Sequence, residues 1–468
     1  MSPRSARYSL DRLRGGLTGI ADRALDRSVR LAVTGLSESG KTVFITALVH
    51  QLLIGKRLPF LAAATEGRLM GAKLAPPPDI EVPEFPYREL VRSLTAGEPV
   101  WPKPTDRLSA LRVAIRYRHS GLIRRQVSDF GTLNLDIVDY PGEWLLDLPL
   151  LETAYEEWSE RTLALCRTEP RASLARDWLA HVGSLAPAAP ADEETMRQAA
   201  RLYADFLRRC KAPEVGLSLL QPGRLVMPGD LAGAPILAFC PLPADGPAPP
   251  GSLRAAMAGR FEAYKEKVVR RFYRDHFSRF DRQIVLVDLL RTLNCGPESF
   301  RDMQDALAVA MRSFSYGRSG LLARLFRPRI DRLLFAATKA DHVASNQHPA
   351  LRHLLERMVA EAAREARFSG IETEAMAIAS VKATETVATE HEGRRLSCVR
   401  GTPLGRDRAV VLFPGEVPEA PPAPEDWDEG RFSFLSFKPP PRPEAAHAGL
   451  PHINLDRALD FLIGDKLA

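Results

Sequence analysis

Cysteine is scarce in this 468-residue chain: Cys166, Cys210, Cys240, Cys295 and Cys398 are far apart and odd in number. No C-x-x-C pair or Cys/His spacing suited to a metal ion accompanies them, which excludes a disulfide framework and a zinc module and points to a reduced, intracellular setting. The ten histidines are scattered, with no pair at i, i+4. His342, beside Asp341, reads as incidental. Aromatic residues make up 7% of the chain and are not interleaved with a basic stripe, so a nucleic-acid partner finds no support. No apolar run approaches the roughly 20 residues needed to cross a bilayer, and the opening residues lack a signal-peptide pattern. The expected location is therefore cytoplasmic. Charge is only mildly one-sided, at +6 with 26% charged residues, and its spread along the chain describes solvated Arg-rich faces. A hydrophobic content of 45% is ordinary for a folded protein and, at this length, sufficient for two or three domains or one core with large insertions.

Glycine, lysine and threonine do converge in one place. Gly35-Leu-Ser-Glu-Ser-Gly-Lys-Thr42 satisfies every fixed position of the phosphate-binding pattern G-x-x-x-x-G-K-[ST]. The apolar run Leu31-Ala-Val33 ahead of it reads as a buried strand, and residues 43–49 behind it as a packed helix. In that setting backbone N–H groups across Gly35, Ser37, Glu38, Ser39, Gly40 and Val43 can curl around a phosphate chain at a helix N-terminus. Lys41 is placed for the β- and γ-phosphates, and Thr42 for Mg²⁺.

Three further patterns follow in order. Asp139-Tyr-Pro-Gly142, ending a strand over 133–139, fits D-x-x-G. There the Asp139 carboxylate reaches Mg²⁺ through water, and the Gly142 N–H contacts a γ-phosphate whose departure releases the segment. Thr338-Lys-Ala-Asp341, after a strand over 333–337, fits [NT]-K-x-D. The Lys339 stem would cover a base, and Asp341 would accept from guanine N1–H and the exocyclic amine, a donor pair that adenine lacks. Ser380-Val-Lys382, after a strand over 375–379, resembles the S-A-K loop that completes such a pocket through backbone N–H groups. Taken singly, Thr338–Asp341 also reads as a helix cap and 380–382 as a strand end. Together, each at a strand C-terminus, they predict an α/β P-loop NTPase of GTPase type.

The remaining chain sorts around that sheet. Prolines 76, 77, 78, 83, 86, 99, 102 and 104 exclude a long regular element from an excursion at 57–107, leaving one short helix at 87–94. Residues 110–118 alternate apolar and basic, the pattern of a half-exposed or edge strand, antiparallel to 133–139. Residues 153–167, 172–185, 193–211 and 251–279 carry apolar positions at helical spacing, predicting an inserted α-helical subdomain over 151–279. A fourth strand at 283–288 then resumes the sheet. The nucleotide domain so defined covers 29–150 and 280–468, with a second excursion at 385–442 containing a strand-like 409–413, and closes on a helix at 455–467. Within 1–28, Leu10, Leu13, Leu17, Ile20 and Leu25 make an apolar stripe among arginines. It fits a helix packed on the nucleotide domain better than peripheral contact with the inner membrane, because it lacks Trp or Phe anchors.

In motif order the chain resembles the translation-factor-class GTPases. It is more closely similar to the YcjX family of bacterial stress-associated P-loop proteins, through Gly35–Thr42, Trp101-Pro-Lys-Pro-Thr-Asp106, Asp136-Ile-Val-Asp-Tyr-Pro-Gly-Glu-Trp144 and Thr338–Asp341. The resemblance covers nearly the whole chain. It implies a cytoplasmic, GTP- or GDP-binding protein with an inserted helical region and a membrane-protein partner. Glu143 occupies the position where many GTPases place a water-orienting Gln, and Thr105 the place of a switch-one Thr completing the Mg²⁺ shell, with Thr65 its rival. Arg88 and Arg92 are candidate arginine fingers. The expectation is slow, Mg²⁺-dependent GTP hydrolysis with Lys41, Glu143 and Thr105 catalytic and Thr42, Thr105 and Asp139 around the metal. A P-loop ATPase or kinase, and a nucleotide-binding scaffold with negligible turnover, remain as alternatives.

Overall fold

The computed structural model describes residues 27–36, 38–77, 79–103, 107–120, 129–244, 246, 248–315, 330–428 and 430–468. Ser37, Thr105 and the N-terminal stripe up to residue 26 lie outside the described residues. The main strands are β1 (Arg27–Gly35), β2 (Leu69–Ala75), β3 (Ser109–Arg118), β4 (Phe130–Asp139), β5 (Arg282–Val287), β6 (Arg332–Ala337) and β7 (Glu372–Ala377). They form one sheet in the order β2-β3-β4-β1-β5-β6-β7. From β4 to β7 the neighbours are parallel, while β2 and β3 run antiparallel.

Side chains alternate between the two faces, as a period of two demands. Val29, Leu31 and Val33 of β1, Leu133, Leu135 and Ile137 of β4, and Ile284 and Leu286 of β5 enter one core. Ala32, Val138, Val285 and Val287 enter the other. The first face is covered by helices α1 (Lys41–Ile54) and α2 (Tyr87–Leu94), with the C-terminal helix Leu455–Ile463 beside them. Helix α1 is buried on nearly all sides, so its polar residues are bonded internally. His50 bridges the Tyr87 hydroxyl (3.0 Å) and the Ala445 carbonyl (2.8 Å), and the Gln51 amide donates to the Leu450 carbonyl.

The second face carries α3 (Tyr155–Leu165), α4 (Glu193–Lys211), α5 (Leu253–Tyr264), α6 (Leu289–Asn294), α7 (Pro297–Ser315), α8 (His348–Met358) and α9 (Ala360–Phe368). The helices of 151–279 share one continuous core with this face rather than enclosing a separate one. Its centre is aromatic: Trp158 stacks on Phe261 (4.9 Å, 16°) and meets Tyr203 and Phe239 edge-on, while Trp178 stacks on Phe206 (5.6 Å, 13°). The expected helix over 251–279 is divided into α5, a π turn at Lys265–Val269, a helix at Arg270–Asp275 and a 3-10 turn at Phe277–Arg279.

Two strand expectations are corrected. Residues 109–118 do not form the edge; β2 pairs outside them. The basic residues of β3 are accommodated by partners, as with Arg112 on Asp136 of β4 at 2.6 Å. A small second sheet, β8 (Glu385–His391), β9 (Arg394–Gly401) and β10 (Val410–Leu412), occupies the excursion in which only its last strand was expected. Its hairpin turns on Glu392 and Gly393, both at positive φ (49° and 72°), the conformation a two-residue hairpin loop requires.

Candidate functional site

Strand β1 ends at Gly35, and helix α1 begins at Lys41 after Gly40, whose φ of 81° is the left-handed conformation that glycine adopts without strain. The first N–H groups of α1 have no partner within the helix, which makes its N-terminus receptive to an anion. The Ser39 hydroxyl is buried there with no hydrogen-bond partner among the described residues. Gly35 lies close under this loop, where a Cβ would stand 2.0 Å from the Ser39 Oγ. Glu38, at φ 55°, is held by Arg291 of α6 at 3.2 Å. Thr42 is buried in the first turn of α1, and its carbonyl accepts from the Thr46 hydroxyl at 2.7 Å.

Strand β4 delivers Asp139, fully buried, beside Val33 of β1. The next residues press against the phosphate loop, since a Cβ on Gly142 would lie 2.4 Å from the Gly35 carbonyl oxygen. A 3-10 segment, Gly142–Glu152, follows and is buried beneath the helices of 151–279. Tyr140 stacks on Phe280 (5.8 Å, 11°), Trp144 meets Phe272 edge-on, and the Arg224 guanidinium sits 3.4 Å over the Trp144 ring. The Trp144 indole donates to the Met227 carbonyl at 3.1 Å. Gly223 packs against the Glu143 backbone, where a Cβ would lie 2.2 Å from the Glu143 carbonyl oxygen.

Glu143 is therefore not a solvent-facing turn residue. Its carboxylate is buried and paired with Lys211 of α4 at 2.6 Å. Burial pushes the carboxyl up, but the Lys211 and Lys41 ammonium groups outweigh it and hold the group below its ordinary range.

At the far end of the site, β6 leads into Thr338, whose N–H donates to the Val287 carbonyl at 2.9 Å. Lys339 takes a left-handed turn (φ 59°) and pairs with Asp288 at 2.5 Å. Burial raises the Asp288 carboxyl, yet the Lys339 ammonium keeps it below its ordinary range. Asp341 Oδ2 accepts the Ala383 N–H at 2.6 Å, and the Thr384 hydroxyl donates to the Asp341 carbonyl. The loop after β7 is thus joined directly to Asp341.

These segments border one cleft of about 320 Å³, within the range of small-molecule sites. Glu38, Ser39, Gly40, Lys41, Thr42 and Val43 line one end; Thr338, Lys339, Asp341, Ser380 and Val381 line the other. Lys382 does not line it, and its N–H donates instead to the Pro451 carbonyl at 2.8 Å. Gly35, Asp139, Gly142 and Glu143 lie behind the phosphate end rather than on its wall. Thr65 is elsewhere, its hydroxyl bonded to the Pro59 and Leu61 carbonyls at 3.0 and 3.1 Å. Arg88 and Arg92 are exposed on α2 and also absent from the lining. The anion-receptive end with its orphaned Ser39 hydroxyl and the carboxylate end together fit a nucleoside phosphate.

Sequence patterns missed part of the wall. Trp101, Pro102, His342, Leu404, Ser436 and Phe437 also line the cleft. The Trp101 indole donates to the Phe437 carbonyl at 2.7 Å, and His342 meets the Phe437 ring edge-on at 5.2 Å. Burial lowers the His342 imidazole below its ordinary range. These residues come from loops separated by more than three hundred positions, and the signal that could have found them was the repeated Trp and Phe among the prolines.

Residues 29–467 match the YcjX-like family, DUF463. The chain is 45% identical over 473 residues to the "Ras-like GTPase YcjX" of Escherichia coli K12, covering 98% of this chain and 100% of that protein. It is 41% identical over 486 residues to the "Ras-like GTPase YcjX" of Shewanella oneidensis MR-1, covering 98% and 99%.

Proposed function

Because the chain belongs to the YcjX-like family, we propose that it is a guanine-nucleotide-binding protein that slowly hydrolyses GTP in the cleft between the phosphate loop and Asp341. The observation that carries this reading is the meeting of Lys41, Thr42, Thr338, Lys339, Asp341 and Ser380 around one volume, although three hundred residues separate the first from the last group. Both relatives carry the name Ras-like GTPase, in keeping with it.

In this reading the α1 N-terminus and Lys41 hold the phosphates, and Thr42, Asp139 and Thr105 are the residues that would hold Mg²⁺. Asp341 selects the base, with Lys339, Ser380 and Val381 around it. Bound Mg²⁺ would neutralise phosphate charge. The chain's own groups orient the nucleotide and exclude water. Glu143, paired with Lys211 and held below its ordinary range, is a weak proton acceptor in this conformation, which favours low turnover. Residues 151–279 act as an inserted unit that follows the Gly142–Glu152 segment. A role as a nucleotide-dependent switch in a bacterial stress response, with a membrane-protein partner, belongs to the same proposal and rests on the family resemblance.

Isothermal titration with GDP and ADP in Mg²⁺, repeated on Asp341→Asn, tests the reading. GDP should bind much more tightly than ADP, and the variant should lose that preference. Equal affinities, unmoved by the substitution, would refute guanine selection and promote an ATPase.

A further inference from the structure

Lys211 ends α4, the long helix of 151–279, yet its ammonium reaches the residue directly after the D-x-x-G segment. The pair it makes with Glu143 is sheltered, the side chains being 23% and 6% exposed. Glu143 in turn lies within electrostatic reach of Lys41. Gly142, immediately before it, is pressed against Gly35 of the phosphate loop. One buried carboxylate is therefore paired with an ammonium group of the helical insertion and feels the charge of a second on the phosphate loop.

A nucleoside triphosphate changes this balance in a way a diphosphate does not. Its third phosphate brings negative charge to Lys41 and toward Glu143. Lys41 is then committed to phosphate, and a buried carboxylate facing an anion is unfavourable unless another cation remains with it. Lys211 is that cation. We propose that Lys211 is a positioning residue, contributed by the helical insertion, which favours triphosphate over diphosphate by neutralising Glu143 beside the γ-phosphate. The inference rests on the reading of the cleft as a guanine-nucleotide site. Through this pair the third phosphate is sensed by α4 directly, as well as through the backbone of Gly142–Glu152.

The test is titration of the full chain with GDP and with a non-hydrolysable GTP analogue, both in Mg²⁺. Lys211→Met should lower the ratio of triphosphate to diphosphate affinity by on the order of tenfold, the size of an ordinary coupling between sites. Glu143→Gln should raise the ratio, because it removes the carboxylate and leaves Lys211 facing the phosphate. The double variant should return near the wild-type ratio, and Lys211→Arg should keep it. A purely structural role would weaken both nucleotides alike in each variant, and that result overturns the inference while leaving the cleft assignment standing. Should Lys211→Met fail to fold, a ratio that does not rise in Glu143→Gln overturns it equally. Wild-type protein that binds neither nucleotide would refute the cleft assignment and the inference together.

Discussion

Asp147 offers a prediction whose size can be worked out in advance. It lies in the Gly142–Glu152 segment, where the Gly223 N–H donates to both carboxylate oxygens at 2.8 and 2.9 Å and the Tyr264 hydroxyl donates at 2.5 Å. Burial dominates these bonds and lifts the carboxyl from 3.8 to about 7. The folded chain thus holds this proton more tightly than the unfolded chain. Stability from the group is greatest at low pH and is lost as pH rises from 3.8 to about 7. At about 1.4 kcal/mol per pH step, the loss is about 2 kcal/mol between about pH 5.5 and about pH 7, and about 4 kcal/mol in full. Asn at this position retains the shape: its carbonyl takes the Gly223 N–H, and its amide donates to the Tyr264 oxygen. Asp147→Asn should therefore raise the urea midpoint at pH 8 and remove that share of the pH dependence. The buried His50 and His342 and the half-buried His276, His348 and His452, each held below its ordinary value first by desolvation, act in the opposite direction. The difference between wild type and variant cancels their contribution. A variant that is less stable than wild type at pH 8, or that keeps the same pH slope, would refute the account.

Two stability predictions accompany this one and the base-selectivity and phosphate-selectivity tests described above. Gly142→Ala sets a methyl group 2.4 Å from the Gly35 carbonyl oxygen, and such overpacking costs about 1–3 kcal/mol. Its thermal midpoint should fall and its nucleotide affinity with it; an unchanged protein would show that the two loops are not in contact. Trp158→Ala empties the centre of the aromatic cluster with Tyr155, Tyr203, Phe239 and Phe261, a truncation that costs about 3–5 kcal/mol. A loss below about 1 kcal/mol in chemical denaturation would mean that the helices of 151–279 are not held by this core.

The sheet was legible because its central strands are short, largely apolar segments, several of them followed by a patterned loop. Residues 31–33, 133–139, 283–288 and 333–337 all announce themselves this way. Helices with one apolar stripe were equally readable, and Glu193–Lys211 begins and ends where its spacing predicts. Strand β2 was hidden because Leu69-Met-Gly-Ala-Lys-Leu-Ala75 carries no β-branched residue and lies beside a proline run; it is a strand through its pairing with β3. The break after Tyr264 was illegible for the opposite reason, since a π turn keeps helical spacing on either side. Among the site residues, Glu38–Val43 border one cleft with Thr338, Lys339, Asp341, Ser380 and Val381, while Lys382 does not line it. Side-chain commitments were not legible: nothing local reveals that Glu143 meets Lys211, or that Lys339 meets Asp288, because each partner lies 50 or more positions away.

The outer wall of the cleft has a consequence for time rather than for affinity. Leu404, Ser436 and Phe437 are joined to the body by the Trp101–Phe437 hydrogen bond and by the packing of Phe437 with Ala344, Ala383 and Val399. That core is small and lies outside the main sheet. A ligand filling the cleft would lie against this wall, and parting of the small core would widen its way out. Residence time would then follow the strength of a clasp remote from the phosphates. Loosening Trp101 would shorten each stay and speed exchange, even where every contact of the phosphate loop is intact.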